Sequence, residues 1–215
     1  MPSPIDVQGR AFLHRFTVRP GHLEAWWPEF QQEMALRERH GFTTHRLFVE
    51  TDVEPKVSWI YSHPDPIGGE ASMAMDPTKT DVIRGRVPHV FRNRLVRPVD
   101  VEYMTHAEPG ETADLGQPTD RIAIMRRYII VGSWDEFLHI WRRIVPLRER
   151  HGFRTLFAVS DREKDVFTWA FDYQGTWQDF PEAQRAYYQD PDRKELRSVM
   201  DYMADYDIHP AHPLR

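Results

Sequence analysis

The chain has 215 residues, of which 40% are hydrophobic and 28% are charged, and its formal net charge is −5 at pH 7. This acidic balance argues against nucleic acid as the main partner, because phosphate backbones bind to positive surfaces. The sequence contains no cysteine, which excludes disulfides, thiolate nucleophiles and cysteine-bound metals. We see neither a secretory signal nor an apolar run near the ~20 residues of a membrane-spanning helix. We therefore expect a cytoplasmic protein without a membrane partner.

In chain order, the first half contains a strand, an amphipathic helix, two strands, a weakly helical segment and a final extended segment. The second half has the same order, with a clearer second helical region from residue 177 to about 203. The predicted strands are residues 11–18, 43–50, 56–62 and 95–104 in the first half, and residues 122–131, 154–160, 165–173 and 207–210 in the second.

A six-residue motif supports an internal duplication. Arg-Glu-Arg-His-Gly-Phe at residues 37–42 recurs unchanged at residues 148–153, 111 positions later. Before each copy, apolar residues fall at positions i, i+3, i+4, i+7 and i+11, which form one face of a helix. The two matching sets are Leu23, Trp26, Trp27, Phe30 and Met34, and Trp134, Phe137, Leu138, Trp141 and Val145.

The repeated element order predicts the fold class. We expect an α+β protein in which two ferredoxin-like βαββαβ repeats pack sheet-to-sheet as a pseudo-dimeric α+β barrel. The strands are apolar on both alternations, so both faces of each sheet need to be buried. The predicted first repeat is residues 1–104 and the second is residues 120–215. Residues 105–119 are rich in Pro, Gly, Thr and acidic side chains, which predicts an exposed linker.

The pattern resembles the NIPSNAP branch of the dimeric α+β barrel superfamily. The resemblance lies in a strand leading into Pro20-Gly21, an aromatic-rich helix, a Gly-Phe pair and a strand ending near Trp59. In the second copy it includes Tyr187-Tyr188-Gln189-Asp190-Pro191-Asp192-Arg193. The sequence departs from the NIPSNAP pattern at Val131-Gly132 and at residues 67–94. The superfamily includes cofactor-free monooxygenases, polyketide cyclases, haem enzymes and proteins without assigned chemistry. The resemblance implies a ligand between a sheet and its covering helices.

The repeated motif itself has a structural interpretation. Gly41 and Gly152 stand where a helix needs a residue with left-handed backbone to end. His40 and His151, with the neighbouring arginines, place positive charge at the negative end of the helix dipole. We therefore interpret the motif as a helix end rather than as a catalytic histidine.

Five residues are candidates for the chemistry. Arg15 lies in an otherwise apolar strand, at the position we match to Arg126, and a buried arginine needs either a protein carboxylate or an anionic ligand. His14, next to it, has no histidine counterpart in the second copy. The segment of residues 63–94 is either an ordinary surface loop or a broken helix that attracts anions. His63, His89 and Arg86 belong to this segment, and histidine titrates near neutral pH.

A second group of residues is predicted to contact the substrate. Aromatic side chains of the first repeat could shape a pocket for an aromatic ligand, although such stripes more often form the core. These candidates are Trp26, Phe30, Trp59, Tyr61 and Phe91.

These observations lead to one main functional hypothesis. We expect a small-molecule enzyme that uses no nucleotide cofactor and binds a hydrophobic, aromatic or polyketide-like substrate in the first repeat. The reaction would be a proton transfer of the cyclase or cofactor-free monooxygenase type, with an arginine stabilising the resulting anion. We expect no metal or other cofactor, no nucleic-acid partner and, as one option, a homodimer. The alternatives are a non-catalytic NIPSNAP-like ligand-binding or interaction protein and a haem-binding barrel.

Overall fold

The computed structural model describes residues 5–52, 54–92, 94–106 and 121–214. Within these ranges the chain forms eight strands, six α-helices and two short 3-10 helices. The strands are β1 Arg10–Thr17, β2 Thr43–Glu50, β3 Lys56–His63, β4 Leu95–Met104, β5 Arg121–Ile130, β6 Phe153–Asp161, β7 Val166–Gln174 and β8 Met203–Pro213. The helices are α1 Leu23–Arg39, α2 Pro66–Ala74, α3 Lys79–Arg86, α4 Trp134–Arg150, α5 Phe180–Gln189 and α6 Pro191–Glu195, with 3-10 helices at Val87–His89 and Arg197–Tyr202.

The predicted fold class is confirmed. The chain is an α+β protein of two ferredoxin-like repeats and belongs to the pseudo-dimeric α+β barrel class. The second helical region is broken into two helices in each repeat, because Pro77 and Pro191 interrupt it. The broken helix predicted for residues 63–94 is therefore present, as α2 and α3. Within the described residues, no helix is both long and apolar enough to cross a membrane.

The chain divides into two compact units. Among the described residues, one unit contains residues 7–52, 54–92, 94–100 and 212–214, and the other contains residues 5–6, 101–106 and 121–211. The ends of β4 and β8 therefore each belong to the unit built mainly from the other repeat. The predicted linker, apart from Thr105 and His106, lies outside the described residues.

In the first repeat, β1 pairs antiparallel with both β3 and β4, and β2 pairs with β3. Helix α1 packs an aromatic face on this sheet. The Trp26 and Phe30 rings stack at 4.7 Å, and Phe30 meets Trp59 of β3 edge-to-face at 5.1 Å. All three side chains are fully buried, so this aromatic stripe is the core of the first repeat.

In the second repeat, β5 pairs antiparallel with β7 and β8, and β6 pairs with β7. Helix α4 has a strongly one-sided apolar pattern and buries Phe137 and Trp141 against this sheet. The Trp141 ring meets Trp169 of β7 edge-to-face at 5.6 Å. The two repeats thus use the same helix-on-sheet packing.

The register of the first strands corrects one sequence match. His14 pairs with Trp59, and Arg126 pairs with Trp169, so the equivalent of His14 is Arg126. Arg15 is instead equivalent to Arg127. The offset of 111 holds for the helices but is 112 in these strands, because the first repeat has an additional residue, Pro20, between strand and helix.

The structural interpretation of the repeated motif is confirmed. Gly41 and Gly152 have φ angles of 84° and 81°, in the left-handed region that favours glycine. The preceding histidines make matching contacts, since His40 Nε2 lies 2.9 Å from Asp76 and His151 Nε2 lies 2.7 Å from Asp190. The motif therefore ends each helix and ties it to the start of the next helical segment.

Candidate functional site

A cavity of about 460 Å³ lies in the second repeat, between its sheet and its helices. Its walls combine aromatic rings with cationic side chains, and no carboxylate or histidine is among the described residues that line it. The sheet contributes Arg126, Tyr128 and Trp169, and α4 contributes Trp141, Ile144 and Arg148. The remaining wall comes from the residues that follow β7, chiefly Gln184, Tyr187, Tyr188, Arg193, Arg197 and Met200.

Arg148 is the most deeply buried cation in this wall. It is 1% exposed, and its Nε and Nη1 atoms have no hydrogen-bond partner. Its guanidinium group instead stacks on aromatic faces, at 4.3 Å from the Tyr187 ring and 4.5 Å from the Phe171 ring. Burial lowers the pKa of Arg148, and the nearby charge of Arg126 lowers it further. A buried cation without a carboxylate is costly to the folded protein.

Arg126, on strand β5, is a second buried cation in the cavity wall. It is 4% exposed, and its Nη1 atom donates a hydrogen bond to the Tyr128 hydroxyl at 3.2 Å. Burial opposes its charge, but the hydroxyls of Tyr128 and Tyr188 outweigh that effect, so the pKa of Arg126 is raised. Arg126 therefore stays protonated while it faces the cavity.

Tyr188 stands at the cavity mouth, with 40% of its surface exposed. Burial of its hydroxyl favours the neutral form, but Arg126, Arg148 and Arg193 together outweigh this effect. The pKa of Tyr188 is therefore lower than the ordinary value of 10. The neighbouring Tyr187 is fully buried, and burial raises its pKa. Tyr188 is thus the tyrosine of this pair that can release a proton more easily.

The local sequence explains how these side chains reach the cavity. Helix α5 is amphipathic and ends at Asp190, where Pro191 starts α6. The Asp190 carboxylate accepts a hydrogen bond from the Asp192 amide at 2.8 Å and caps the new helix. Arg193, in α6, then lies over the Tyr187 and Tyr188 rings at 5.7 and 5.3 Å.

In the first repeat, an internal ion cluster lies on the same helix face. Glu33 is 4% exposed, and its carboxylate oxygens lie 2.5 Å from Arg86 Nε and 3.5 Å from Arg94 Nη2. The guanidinium of Arg37, one helical turn away, approaches Glu33 at 3.9 Å and binds Glu70 at 2.7 Å. Arg86 is therefore held by a protein carboxylate and is 1% exposed.

His14 is fully buried next to this cluster. The guanidinium of Arg94 donates hydrogen bonds to His14 Nε2 at 2.9 and 3.1 Å, which places the ring proton on Nδ1. Burial and the charges of three arginines lower the pKa of His14 to about 2. His14 is therefore a neutral imidazole at working pH, and its basic nitrogen is already occupied.

The structure separates the other predicted catalytic residues from His14 and Arg86. Arg15 forms an ion pair with Glu50 at 3.6 Å. His63 Nδ1 accepts a hydrogen bond from the Asp65 amide at 2.8 Å, and its Nε2 donates to the His40 carbonyl at 3.0 Å. His89 contacts the His22 ring, with 3.1 Å between their Nδ1 atoms. Of the five candidates, His14 and Arg86 share one cluster and the other three do not.

The predicted substrate-binding residues are also spread out. Trp26, Phe30 and Trp59 belong to the first core. Phe91 is 38% exposed and lies under Arg19, whose guanidinium is 5.4 Å from the ring. Tyr61 lines a separate cavity of about 420 Å³ in the first repeat, with Phe12, Phe42, Pro66, Ile67, Glu70 and Val96.

The residues of the second-repeat cavity are not among the site residues predicted from the sequence. Arg148 belongs to the helix-end motif, but it also follows Trp141 by seven residues and so continues the buried stripe of α4. That position on an apolar face was the available signal. Tyr187, Tyr188 and Arg193 belong to the segment that resembles the NIPSNAP family, and that resemblance does not indicate that they share a cavity.

Comparison with known proteins supports the fold. No protein-family model matches the chain, and no curated protein matches it. A provisionally assigned monooxygenase from Fusobacterium nucleatum is similar in structure, with a TM-score of 0.64 and 11% identity over 98% of this chain and 94% of the other. A second such protein, from Lactobacillus acidophilus, has a TM-score of 0.63 and 10% identity over 96% and 94% of the two chains. An anthrone oxidase-like protein has a TM-score of 0.59 and 13% identity over 100% and 95%. At these identities the likeness establishes the shared α+β barrel fold alone.

Proposed function

We propose that this protein is a small-molecule enzyme of the cofactor-independent monooxygenase type, and that the second-repeat cavity is its working site. The observation that carries the proposal is a cavity that combines tryptophan and tyrosine walls with three buried arginines, Arg126, Arg148 and Arg193, and with no carboxylate among the described residues that line it. A volume of about 460 Å³ suits a small organic ligand. The site lies in the second repeat rather than in the first repeat expected from the sequence, because the Glu33 cluster occupies the corresponding helix face there.

The reaction that fits this wall begins with a proton transfer. A methylene group that is attached to an aromatic ring and conjugated through that ring with a carbonyl loses a proton, which leaves an enolate. The enolate carbon then transfers electrons to dioxygen and forms a C–O bond, which gives a hydroperoxide after protonation. Loss of water leaves a new carbonyl, so the methylene compound and O₂ yield the ketone and H₂O.

Five of the cavity residues have a role in this scheme. Arg126 and Arg148 stabilise the enolate oxygen through charge, since both guanidinium groups are buried and face the cavity. Tyr188, whose pKa is lowered by the adjacent arginines, accepts the proton in its ionised form. Trp141 and Trp169 hold the ring system beside them.

Two names among the similar structures support this choice of reaction. Monooxygenases and an anthrone oxidase-like protein share this fold, and anthrone contains a methylene of the required kind. Cyclisation would begin with the same proton abstraction but would consume no oxygen. Membership of the NIPSNAP branch, a cytoplasmic location and a homodimer stay predictions.

The test is oxygen uptake with anthrone as substrate, with chelator present and no flavin or haem added. We expect oxygen consumption above the rate of spontaneous oxidation, with one O₂ used for each quinone formed. Arg148→Met tests whether this cavity is the site, and we expect it to reduce the rate above background by about 100-fold. A rate equal to the background would overturn the proposal, and activity that disappears with chelator would overturn its cofactor independence. Binding of anthrone without turnover would favour the non-catalytic alternative.

A further inference from the structure

The two repeats differ at one helix position that faces the buried arginines. On α1, Glu33 precedes Arg37 by one helical turn, and on α4, Ile144 precedes Arg148 by the same interval. Glu33 and Ile144 are both buried, at 4% and 5% exposure. The duplication therefore places a carboxylate in one repeat where the other has a hydrocarbon side chain.

The carboxylate of Glu33 balances the arginines around it. Its oxygens lie within 4 Å of guanidinium nitrogens of Arg37, Arg86 and Arg94. Buried guanidinium groups favour this kind of partner, because a carboxylate matches both their charge and their paired N–H groups. The first repeat thus contains its own anion.

The second repeat lacks the equivalent anion. Within the described part of the chain, Arg126 and Arg148 make no ion pair, and Ile144 lies beside them in the cavity wall. The Nε atoms of both arginines and Nη1 of Arg148 are buried without a hydrogen-bond partner. Tyrosine hydroxyls and aromatic faces are the only contacts described for these two guanidinium groups, and an open cavity adjoins them.

We propose that the second-repeat cavity binds an aromatic anion, whose carboxylate, phenolate or enolate oxygen lies between Arg126 and Arg148, as Glu33 lies among the arginines of the first repeat. The inference rests on the proposed function, since it names the charge of the species that the same cavity binds, which includes the enolate form of the substrate. The aromatic part of the bound anion lies against Trp141 and Trp169, and its anionic group pairs with the guanidinium groups of Arg126 and Arg148.

The first experiment compares two ligands of the same shape on the unmodified protein. The probes are 2-naphthoate and its neutral amide, 2-naphthamide, and binding is followed by calorimetry and by quenching of tryptophan fluorescence. We expect the carboxylate to bind at least about tenfold more tightly than the amide, because it alone forms charge-assisted hydrogen bonds. Equal affinities, or no binding of the carboxylate at millimolar concentration, would overturn the inference.

The second experiment places an anion in the cavity permanently. Ile144→Glu should put a carboxylate next to Arg148 and weaken 2-naphthoate binding by about tenfold or more, through competition for the two arginines. Ile144→Gln is the matched control, because it has the same length without the charge. We expect Ile144→Glu to unfold at a higher temperature than Ile144→Gln, because the new carboxylate balances a buried cation. Equal 2-naphthoate binding by the two folded variants would contradict the proposed position of the anion.

These measurements separate the inference from the proposed function. Selective binding of 2-naphthoate without oxygen uptake on anthrone would support the anion site and overturn the oxygenase. Oxygen uptake by a protein that binds both naphthyl probes equally would support the oxygenase and overturn the anion site.

Discussion

The two repeats pack a helix on a sheet in the same way, but they differ in the charges around the buried arginine of that helix. Each has a buried arginine at the start of the repeated motif, Arg37 or Arg148, packed under an aromatic sheet. In the first repeat, Glu33 and two further arginines occupy the neighbouring space as an ion cluster. In the second repeat, Ile144 leaves the cation beside an open cavity. A duplicated helix motif can therefore keep the same backbone role in both copies while a carboxylate balances the buried arginine in one copy only.

The largest effect that we expect is on the free energy of unfolding, when the carboxylate that distinguishes the first repeat is removed. Glu33→Gln removes the carboxylate that three arginines share, and it leaves a buried cation uncompensated. We expect the free energy of unfolding to fall by about 3–5 kcal/mol. Urea denaturation measures this value, and Glu38→Gln, an exposed substitution on the same helix, should cost less than about 0.5 kcal/mol. A similar small cost for both variants would show that the cluster does not balance the first repeat.

The next effect concerns the rate of the proposed reaction. Tyr188→Phe removes the proton acceptor, and we expect kcat to fall by about 100-fold. The unmodified rate should rise with pH as Tyr188 loses its proton, with a midpoint below 10, since the nearby arginines lower its pKa. The variant should lack this rise. Tyr202→Phe, outside the cavity wall, is the control and should keep both the rate and the pH profile.

A smaller effect distinguishes the two equivalent arginines. We expect Arg37→Met to reduce the free energy of unfolding by about 2 kcal/mol, because it removes ion pairs to Glu33 and Glu70. Arg148→Met removes a cation that has no carboxylate, so its stability should stay within about 1 kcal/mol of the unmodified protein. Denaturation of the two variants side by side measures the difference. A larger cost for Arg148→Met would mean that its aromatic contacts, rather than a ligand, compensate the charge.

The smallest expected effect is the pH dependence contributed by His14. Its folded-state pKa of about 2 lies below the ordinary value of 6.5, so below pH 6.5 the unfolded chain binds a proton that the folded protein does not. Stability should therefore fall as the pH is lowered, by about 1.4 kcal/mol per pH unit from this group. Denaturation at pH values between about 3.5 and 5.5, which lie between the two pKa values, measures the slope, and His14→Gln should reduce it by that amount. An unchanged slope would contradict a buried neutral His14.

The sequence was sufficient for the fold because the duplication supplied an internal control. The apolar stripe of α1 and its copy in α4 keep their spacing, and Gly41 and Gly152 end both helices in the same conformation. These are local patterns of backbone and hydrophobicity, which a single sequence displays directly.

The site was not predictable in the same way. Whether Arg86 or Arg148 has a carboxylate partner depends on which side chains meet across elements far apart in sequence, and no spacing rule encodes that. His14 illustrates the limit, since its neutral state follows from burial and from the charge of Arg94, 80 residues away, which together lower its pKa. The shift of one residue between the offsets of strand and helix also hid the equivalence of His14 and Arg126.

A crystal structure of the protein with bound 2-naphthoate tests the central claim most directly. We predict electron density for the ligand in the second-repeat cavity, with its carboxylate oxygens about 3 Å from guanidinium nitrogens of Arg126 and Arg148. Ligand that lies in the first repeat or on the surface, with the second-repeat cavity unoccupied, would contradict the account.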